Sequence, residues 1–558
     1  MIHNDEIAHN FSLLAKLMDI HGENSFRSKS YATAAFSIDK LTTSLAEIPA
    51  EKIFSIKGIG ESAGKKIIEQ LETGKLLALE TLLQNTPNGI LEMLRIKGIG
   101  PKKISTIWKE LEIETIGELL YACNENRLTL YKGFGEKTQE NIKQSIEFYM
   151  GTLGRYLYQQ VADFAVQLQT LLTQSISHPF LLSGEMRRQM EIIDSINWVT
   201  TASAEELKIF FSAHEFTLKE ETPTLLIFKS AQNITIGFHI TTSQLLQSKL
   251  FETSCSNDFL TEWTAATNWD NQYPYSSEDE IFSRHNICPI PPALREAASI
   301  IELAKNNELT SLIETEDIKG IIHAHSNWSD GTNTLEEMAI SALENGYEYL
   351  LITDHSKSAF YAKGLYEDRI EAQHKQIDEI NKKINPFRIF KGIESDILND
   401  GSLDYAPEIL KTFDLVIASI HSNLKMTEEK AMGRLIKAIE NPYTSILGHM
   451  TGRLLLSRAG YPVDHQKIID ACAANNVAIE LNAHPRRLDM DWRWIHKAME
   501  KNVLISINPD AHQCAGYGDC KYGVLVAQKA GLPKNKNLSS FGLLAFEAFV
   551  KEQQAKRP

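Results

Sequence analysis

Nine residues near the C-terminal end of the sequence carry side chains suited to binding divalent metals: His323, His325, Asp330, His355, Glu394, His421, His449, Asp510 and His512. Imidazole and carboxylate together suit Zn2+, Mn2+ or Fe2+ better than Ca2+, with Mg2+ a further candidate. Nine groups exceed the needs of one ion, so two or three ions are expected, with Glu394 as a bridge between them. Such a cluster lowers the pKa of bound water and clamps a phosphate, which is the chemistry of phosphoester hydrolysis. Glu394, Asp510 and His355 are the expected catalytic members. Arg453 is placed with them as a phosphate clamp, and Arg486 and Arg487 are further clamp candidates, because guanidinium binds phosphate bidentately. His374, His465 and His496 are read as surface or satisfied core histidines.

The elements that must position these groups are short apolar runs. From residue 317 onward, GIIHAHS, YEYLLITDH, RIFKGIE, LVIASIH, SILGHM, VAIELN and LISINPDAH alternate with amphipathic stretches. Nearly every run ends in His, Asp or Glu. In a parallel βα barrel the C-terminal strand ends form one rim, so these endings would converge there. His323 and His325 stand two apart on one strand and therefore face the same way, as do Asp510 and His512.

The first third is helical by pattern and contains a repeat: IKGIGESAGKKI (56–67), IKGIGPKKISTI (96–107) and YKGFGEKTQENI (131–142). Gly58 and Gly60, Gly98 and Gly100, and Gly133 and Gly135 each flank one apolar residue just before a helix start. A turn of this kind points N–H groups outward, the helix dipole follows, and Lys65, Lys66, Lys102 and Lys103 add charge. The unit grips a phosphate backbone without reading bases.

The repeat resembles the helix-hairpin-helix motif, a sequence-independent DNA-binding element. The resemblance implies a monovalent cation at the turns, held by the carbonyls of Ile56, Ile59, Ile96 and Ile99. Together with NSFRSKSYATAAFSI (24–38) and LETGKLLALETL (71–82), the first hairpin resembles the N-terminal domain of family X DNA polymerases. In the branch of that family that removes 5′ deoxyribose phosphate, the Schiff-base lysine falls on Lys66 here; a plain phosphate contact is the alternative.

Residues 183–199, SGEMRRQMEIIDSINWV, resemble the family X palm signature: Gly184, Arg187, Arg188 and Glu191 are in place, with Glu185 where the signature has Ser. Ser195 and Asn197 stand where the family has two metal-binding aspartates, and the strand at 233–241 offers no third acid. Asp194, one residue out of step, would face away. Phosphoryl transfer at two metals needs carboxylates, so templated synthesis by this palm is not expected.

HAHSNWSDG, ITDHS, GIESDI, SIHS, GHMTGR and NPDAH resemble the PHP (polymerase and histidinol phosphatase) domain, with all nine metal positions filled. Ile321, His484 and Gln513 depart from the usual Asp, Asn and Ser. GHMTGRLLLSR and ELNAHPRRLDMDWRW narrow the likeness to the bacterial and archaeal fusion of a family X polymerase with a PHP domain. That resemblance implies a multidomain chain. Residues 1–82 form an α-helical lyase-like domain, 83–150 a second helix-hairpin-helix, and 151–250 a degenerate α+β nucleotidyltransferase-like palm. A thumb-like segment and linker at 251–312 precede an α/β PHP domain at 317–558, a distorted (β/α)7 barrel. It also implies a Mn2+-stimulated 3′→5′ exonuclease acting in repair on gapped, nicked or 3′-ended DNA, with other repair enzymes as partners. Gap filling with PHP proofreading, a small-molecule phosphatase of histidinol-phosphatase type and a non-catalytic DNA binder remain as alternatives.

Composition is compatible with all of these. A net charge of −15 argues against coating nucleic acid by bulk electrostatics, but backbone amides hold phosphate without net positive charge. Six cysteines without a CxxC pair fit reduced thiols, and no run approaches a membrane span, so a cytoplasmic monomer away from membranes is expected.

Overall fold

A computed structural model describes residues 3–124, 127–152, 154–456 and 459–558. The chain divides into two units, Met1–Leu153 and Gly154–Pro558. The first unit is helical. Its opening helix α1 (Asn4–His21) buries Ile7, Phe11, Leu14 and Met18, one face at helical spacing, and Gly22 ends it in the left-handed region at φ 76°. One apolar cluster runs from Ile7 to Ile146, so residues 1–82 and 83–150 share a core. The three glycine turns lead into α2 (Glu61–Thr73), α3 (Pro101–Lys109) and α4 (Glu136–Thr152).

The second unit opens with a mixed sheet of β1 (Phe180–Ser183), β2 (Ile196–Thr200), β3 (Thr217–Thr222), β4 (Leu225–Lys229) and β5 (Thr235–Ile240). Its order is β1-β2-β5-β4-β3, with only β2 and β5 parallel among its pairings. Trp198, Phe211, Phe228 and Phe238 fill its core. A helical segment follows, packed around Phe251, Phe259, Trp263 and Phe282.

The remainder is a seven-stranded parallel sheet: β6 (Gly320–Ala324), β7 (Tyr349–Ile352), β8 (Arg388–Asp396), β9 (Leu415–Ser419), β10 (Ile446–Leu447), β11 (Ala478–Asn482) and β12 (Ile505–Asn508), each paired with the next in sequence. The sheet nearly closes into a barrel: Ala324 bridges Ala511, and the His325 amide donates to the Ala511 carbonyl at 2.8 Å. Alternate strand residues divide between two apolar layers. Ile321, Leu350, Ile352 and Ile389 face the surrounding helices. Ile322, Leu351, Phe390 and Ile417 face the interior, where α5 (Leu543–Ala555) inserts Phe546 against Tyr349, ring centroids 4.1 Å apart. With one mouth filled by hydrocarbon, the polar strand ends are left to the other.

Candidate metal centre and nucleic-acid interface

Glu394, near the end of β8 and 1% exposed, is the hub of the polar mouth. Its Oε1 lies 3.3 Å from His323 Nε2, 3.1 Å from His421 Nε2 and 3.0 Å from His449 Nε2. Its Oε2 lies 2.9 Å from His355 Nδ1 and 3.6 Å from His325 Nε2. Asp510 Oδ1 is 3.1 Å from His325 Nε2 and 3.5 Å from His323 Nε2, and Asp330 Oδ2 is 3.6 Å and 3.4 Å from the Nε2 atoms of His355 and His512. All nine sequence-selected residues therefore converge. Among the described residues eight of them form three overlapping ligand groups: His325, Asp330, His355 and His512; His323, His325 and Asp510; His355, Glu394 and His421; His449 joins through Glu394.

The backbone reaches this arrangement by a route that simple alternation misses. His323 is a bulge at φ 70°: Ile322 pairs with Leu351 and Ala324 with Ile352, leaving His323 as the extra residue. Its ring turns inward for that reason, and His325 lies just beyond the strand. Asp510, at φ 51°, and His512 likewise sit in the turn after β12 rather than on the strand.

Electrostatics fit a site for cations. Burial would raise Glu394, but the imidazoles of His421, His323 and His355 hold it well below the usual carboxylate range. Asp510 is likewise held down, against burial, by His323, His325 and His512. Burial disfavours a proton on His355 and His421, yet Glu394 and the neighbouring acids push them up to about 10 and about 9. His325 goes the other way, to about 3, through burial and the neighbouring His512 and His355. Buried His323 Nε2, His325 Nδ1, His355 Nδ1 and Glu394 Oε2 lack hydrogen-bond partners. Buried nitrogen and oxygen atoms left without hydrogen-bond partners around shared carboxylates are satisfied by a cation, so the donor set fits divalent metal.

A layer of carboxylates outside the nine residues supports them. Glu480, fully buried on β11, contacts His323 Nδ1 at 2.5 Å and accepts from the His449 amide at 3.0 Å and Asn508 Nδ2 at 2.8 Å. Asp396 holds His421 Nδ1 at 2.5 Å. Asp354 accepts from the amides and hydroxyls of Ser326 and Ser329, fixing the loop that carries Asp330. Carboxylates behind metal-binding histidines set ring orientation and basicity. The signal was present: Asp396 is two residues beyond Glu394 on the same strand, and Asp354 adjoins His355.

The Arg453 guanidinium pairs with Asp491 at 2.6 Å and donates to the carbonyls of Arg487 and Leu488, so its donors brace the loop that carries those residues. Arg487 Nε lies 3.6 Å from Asp510 Oδ2, at the edge of the centre, while Arg486 is exposed. His374 packs edge-on to Phe413 and His465 stacks on Trp494, as side chains outside the cluster.

In the palm-like sheet, Asn197 Nδ2 donates to Ser195 Oγ at 2.8 Å, so the two share a face. Asp194 points elsewhere, to Arg155 at 2.7 Å. Asn197 pairs in register with Gly237 on β5, and a Cβ at Gly237 would lie 2.2 Å from Asn197 Oδ1. The amide thus occupies the space an acid on the neighbouring strand would need. The signature arginines are engaged as well: Arg187 with Glu278 and with Ser254 Oγ at 3.0 Å, Arg188 with Glu296 at 2.9 Å. Glu191 accepts from Trp492 Nε1 and Arg493 Nη1, both at 3.1 Å.

The three hairpin turns have one geometry. Gly58, Gly98 and Gly133 lie at φ 90°, 89° and 92°, which glycine alone adopts readily. Ile59, Ile99 and Phe134 are buried beneath them, and the turns close through Ile59 to Ile56, Ile99 to Ile96 and Phe134 to Tyr131 backbone bonds. No atom lies within 4 Å of where a Cβ would stand on Gly60, Gly98, Gly100, Gly133 or Gly135, so a phosphate can approach the backbone closely. Lys65 and Lys102 are exposed, Lys66 and Lys103 half-buried.

Comparison with known proteins fits this division. Residues 2–76 match the helix-hairpin-helix domain family, 90–147 a SAM-like helix-hairpin-helix tandem and 322–484 the PHP domain. Seven of the nine clustered residues fall inside the PHP match; Asp510 and His512 lie beyond it. Over 99% of its length the chain is 31% identical to the whole of a Bacillus subtilis protein named DNA polymerase/3′-5′ exonuclease PolX. A probable phosphatase from Caldanaerobacter subterraneus is 28% identical over 37% of this chain and 81% of its own length. Another from Vibrio atlanticus is 28% identical over 36% and 81%.

Proposed function

The chain belongs to the PolX family, and from that premise we propose that it is a DNA-repair nuclease whose nine-residue cluster removes nucleotides from DNA 3′ ends while its palm serves as scaffold. The observation that carries this reading is the contrast within one chain. The PHP mouth gathers two aspartates, a glutamate and six histidines, whereas the palm site holds Ser195 and Asn197 closed over Gly237.

His323, His325, Asp330, His355, Glu394, His421, His449, Asp510 and His512 would hold two or three divalent ions, of which Mn2+, Zn2+ and Fe2+ suit the donors best, with Mg2+ a weaker fit. Bound there, such ions supply an activated water at neutral pH and stabilise charge on the phosphate. The protein's own groups do the rest. Glu394 and Asp510 stay ionised under burial, fixing negative charge at the centre. Glu480 and Asp396 hold the rings of His323 and His421 in one orientation. Arg487 stands at the rim, able to meet a phosphate oxygen. The helix-hairpin-helix domains bind DNA; Gly58, Gly60, Gly98, Gly100, Gly133, Gly135 and Lys65, Lys66, Lys102 and Lys103 are the proposed backbone contacts, which explains binding without sequence readout.

A labelled single-stranded oligonucleotide incubated with Mn2+ tests the reading. A ladder shortened from the 3′ end is expected from the wild type and none from His323→Ala; equal cutting by both would refute it. Metal loading has its own signature. His355 and His421 carry raised pKa values of about 10 and about 9, so at neutral pH a metal must displace their protons. Adding Mn2+ to chelator-stripped protein in weak buffer should release protons, and Mn2+ affinity should fall as pH is lowered.

The name of the Bacillus subtilis relative also includes polymerase activity. Here the palm geometry opposes it. Replacing Ser195 and Asn197 together by Asp should yield no primer extension, because Gly237 still offers no third acid and Arg187 and Arg188 remain in ion pairs. Extension by that double variant on a gapped template would show the palm to be intact.

A further inference from the structure

Just after His355 the chain leaves the barrel rim as a loop and returns to it at Leu365. The base of this loop is pinned at a metal-binding residue: the Leu365 amide donates to the His355 carbonyl at 2.9 Å, and Ser356 bridges Leu365. Its sides are braced too. The Tyr405 hydroxyl donates to the Leu365 carbonyl at 2.5 Å and accepts from the Lys357 amide at 3.1 Å. The Ser358 amide donates to Asp404 and its hydroxyl to Asp396, each at 2.6 Å. Asp396 is the residue whose other oxygen holds His421. Arg369 donates to the Lys363 carbonyl at 2.6 Å.

The loop is therefore fixed to two residues of the cluster, His355 directly and His421 through Asp396. Its tip nevertheless presents Phe360 to solvent at 81% exposure, with exposed Lys363 closing the same turn through its amide to the Phe360 carbonyl; Tyr366, 57% exposed, follows the base. Two acids follow, Glu367 and Asp368; Glu367 is paired with Lys357 at 2.6 Å. An exposed aromatic ring in one turn with a cation, on a loop braced beside a phosphodiesterase centre, has the chemistry of a platform for an unpaired nucleobase. Every base has a face that stacks, so such a platform takes any sequence.

We propose that the loop at 356–366 is a substrate-recognition element in which Phe360 stacks on the unpaired base at a DNA 3′ end, while Lys363 faces the adjoining phosphate. This rests on the nuclease reading and narrows its substrate to a single-stranded or frayed terminus. Phe360 touches substrate and sets specificity; it takes no part in bond breaking.

The test compares KM for a labelled single-stranded oligonucleotide with KM for bis(4-nitrophenyl) phosphate, a diester without a base, in full-length protein with Mn2+. Phe360→Ala should raise KM for the oligonucleotide about tenfold more than for the small diester, as loss of one stacked base predicts. Phe360→Tyr should restore most of the difference. Equal changes for the two substrates, or a fall in kcat at constant KM, would overturn the proposal while leaving the nuclease reading intact. Wild-type protein that hydrolyses the small diester but leaves the oligonucleotide whole would sink both.

Discussion

Glu394→Gln should abolish nuclease activity, lowering the rate by roughly 10³-fold or more, a loss of at least about 4 kcal/mol in the barrier. The substitution keeps the shape of the side chain and removes only its charge. That charge faces nitrogen atoms of His323, His325, His355, His421 and His449 within 3.6 Å. Without it, the imidazoles converge on a neutral amide, and cations lose the carboxylate common to the cluster. Metal content by elemental analysis should fall alongside activity. The metal-free protein should also be less stable, because breaking a buried charge pairing by removing one partner costs about 3–5 kcal/mol. A Glu394→Gln protein with full metal content and wild-type turnover would remove Glu394 from the centre.

The second large effect lies at the contact between the palm-like sheet and the barrel. Lys529, its side chain wholly buried, pairs with Glu296 at 2.8 Å and donates to the Arg188 carbonyl at 2.7 Å. Burial pulls the lysine down from its ordinary range and Glu296 works against that. Glu296→Ala leaves Lys529 charged and surrounded by carbonyls, and takes the carboxylate partner from Arg188 as well. Destabilisation of about 3–5 kcal/mol is expected in denaturant unfolding. Adding Lys529→Met should recover part of the loss, since removing both members of a buried pair is milder than removing one. A single-variant loss within about 0.5 kcal/mol would mean that solvent reaches the pair.

These two sites differ in how far the sequence disclosed them. All nine cluster residues were legible because metal-binding types sit at the ends of apolar strands, and strand alternation with helices places those ends on one rim. The hairpin turns were legible because glycine at φ near 90° leaves a spaced mark in the sequence. Alternation placed His323 and His325 on one face of a strand, whereas His323 reaches the centre through a bulge, which shifts register without changing composition. The type of Arg453 suits phosphate, but its partners, Asp491 and two carbonyls, are set by tertiary folding and leave no mark in the local sequence. The contact of Glu191 with Trp492 spans 301 residues and follows no local period. The likeness of the palm sequence to a known family predicted its framework; only the register of Asn197 against Gly237 shows how the space between those strands is filled.

The most direct test of the proposed division between a nuclease PHP centre and a scaffold palm is one reaction on one substrate. A gapped duplex with a 5′-labelled primer, supplied with Mn2+ and all four deoxynucleotides, lets the primer grow or shrink. Shortening by the wild type, with neither shortening nor growth after Glu394→Gln, is the predicted result. Primer growth that persists in Glu394→Gln would contradict it, because synthesis would then come from a palm without its acids.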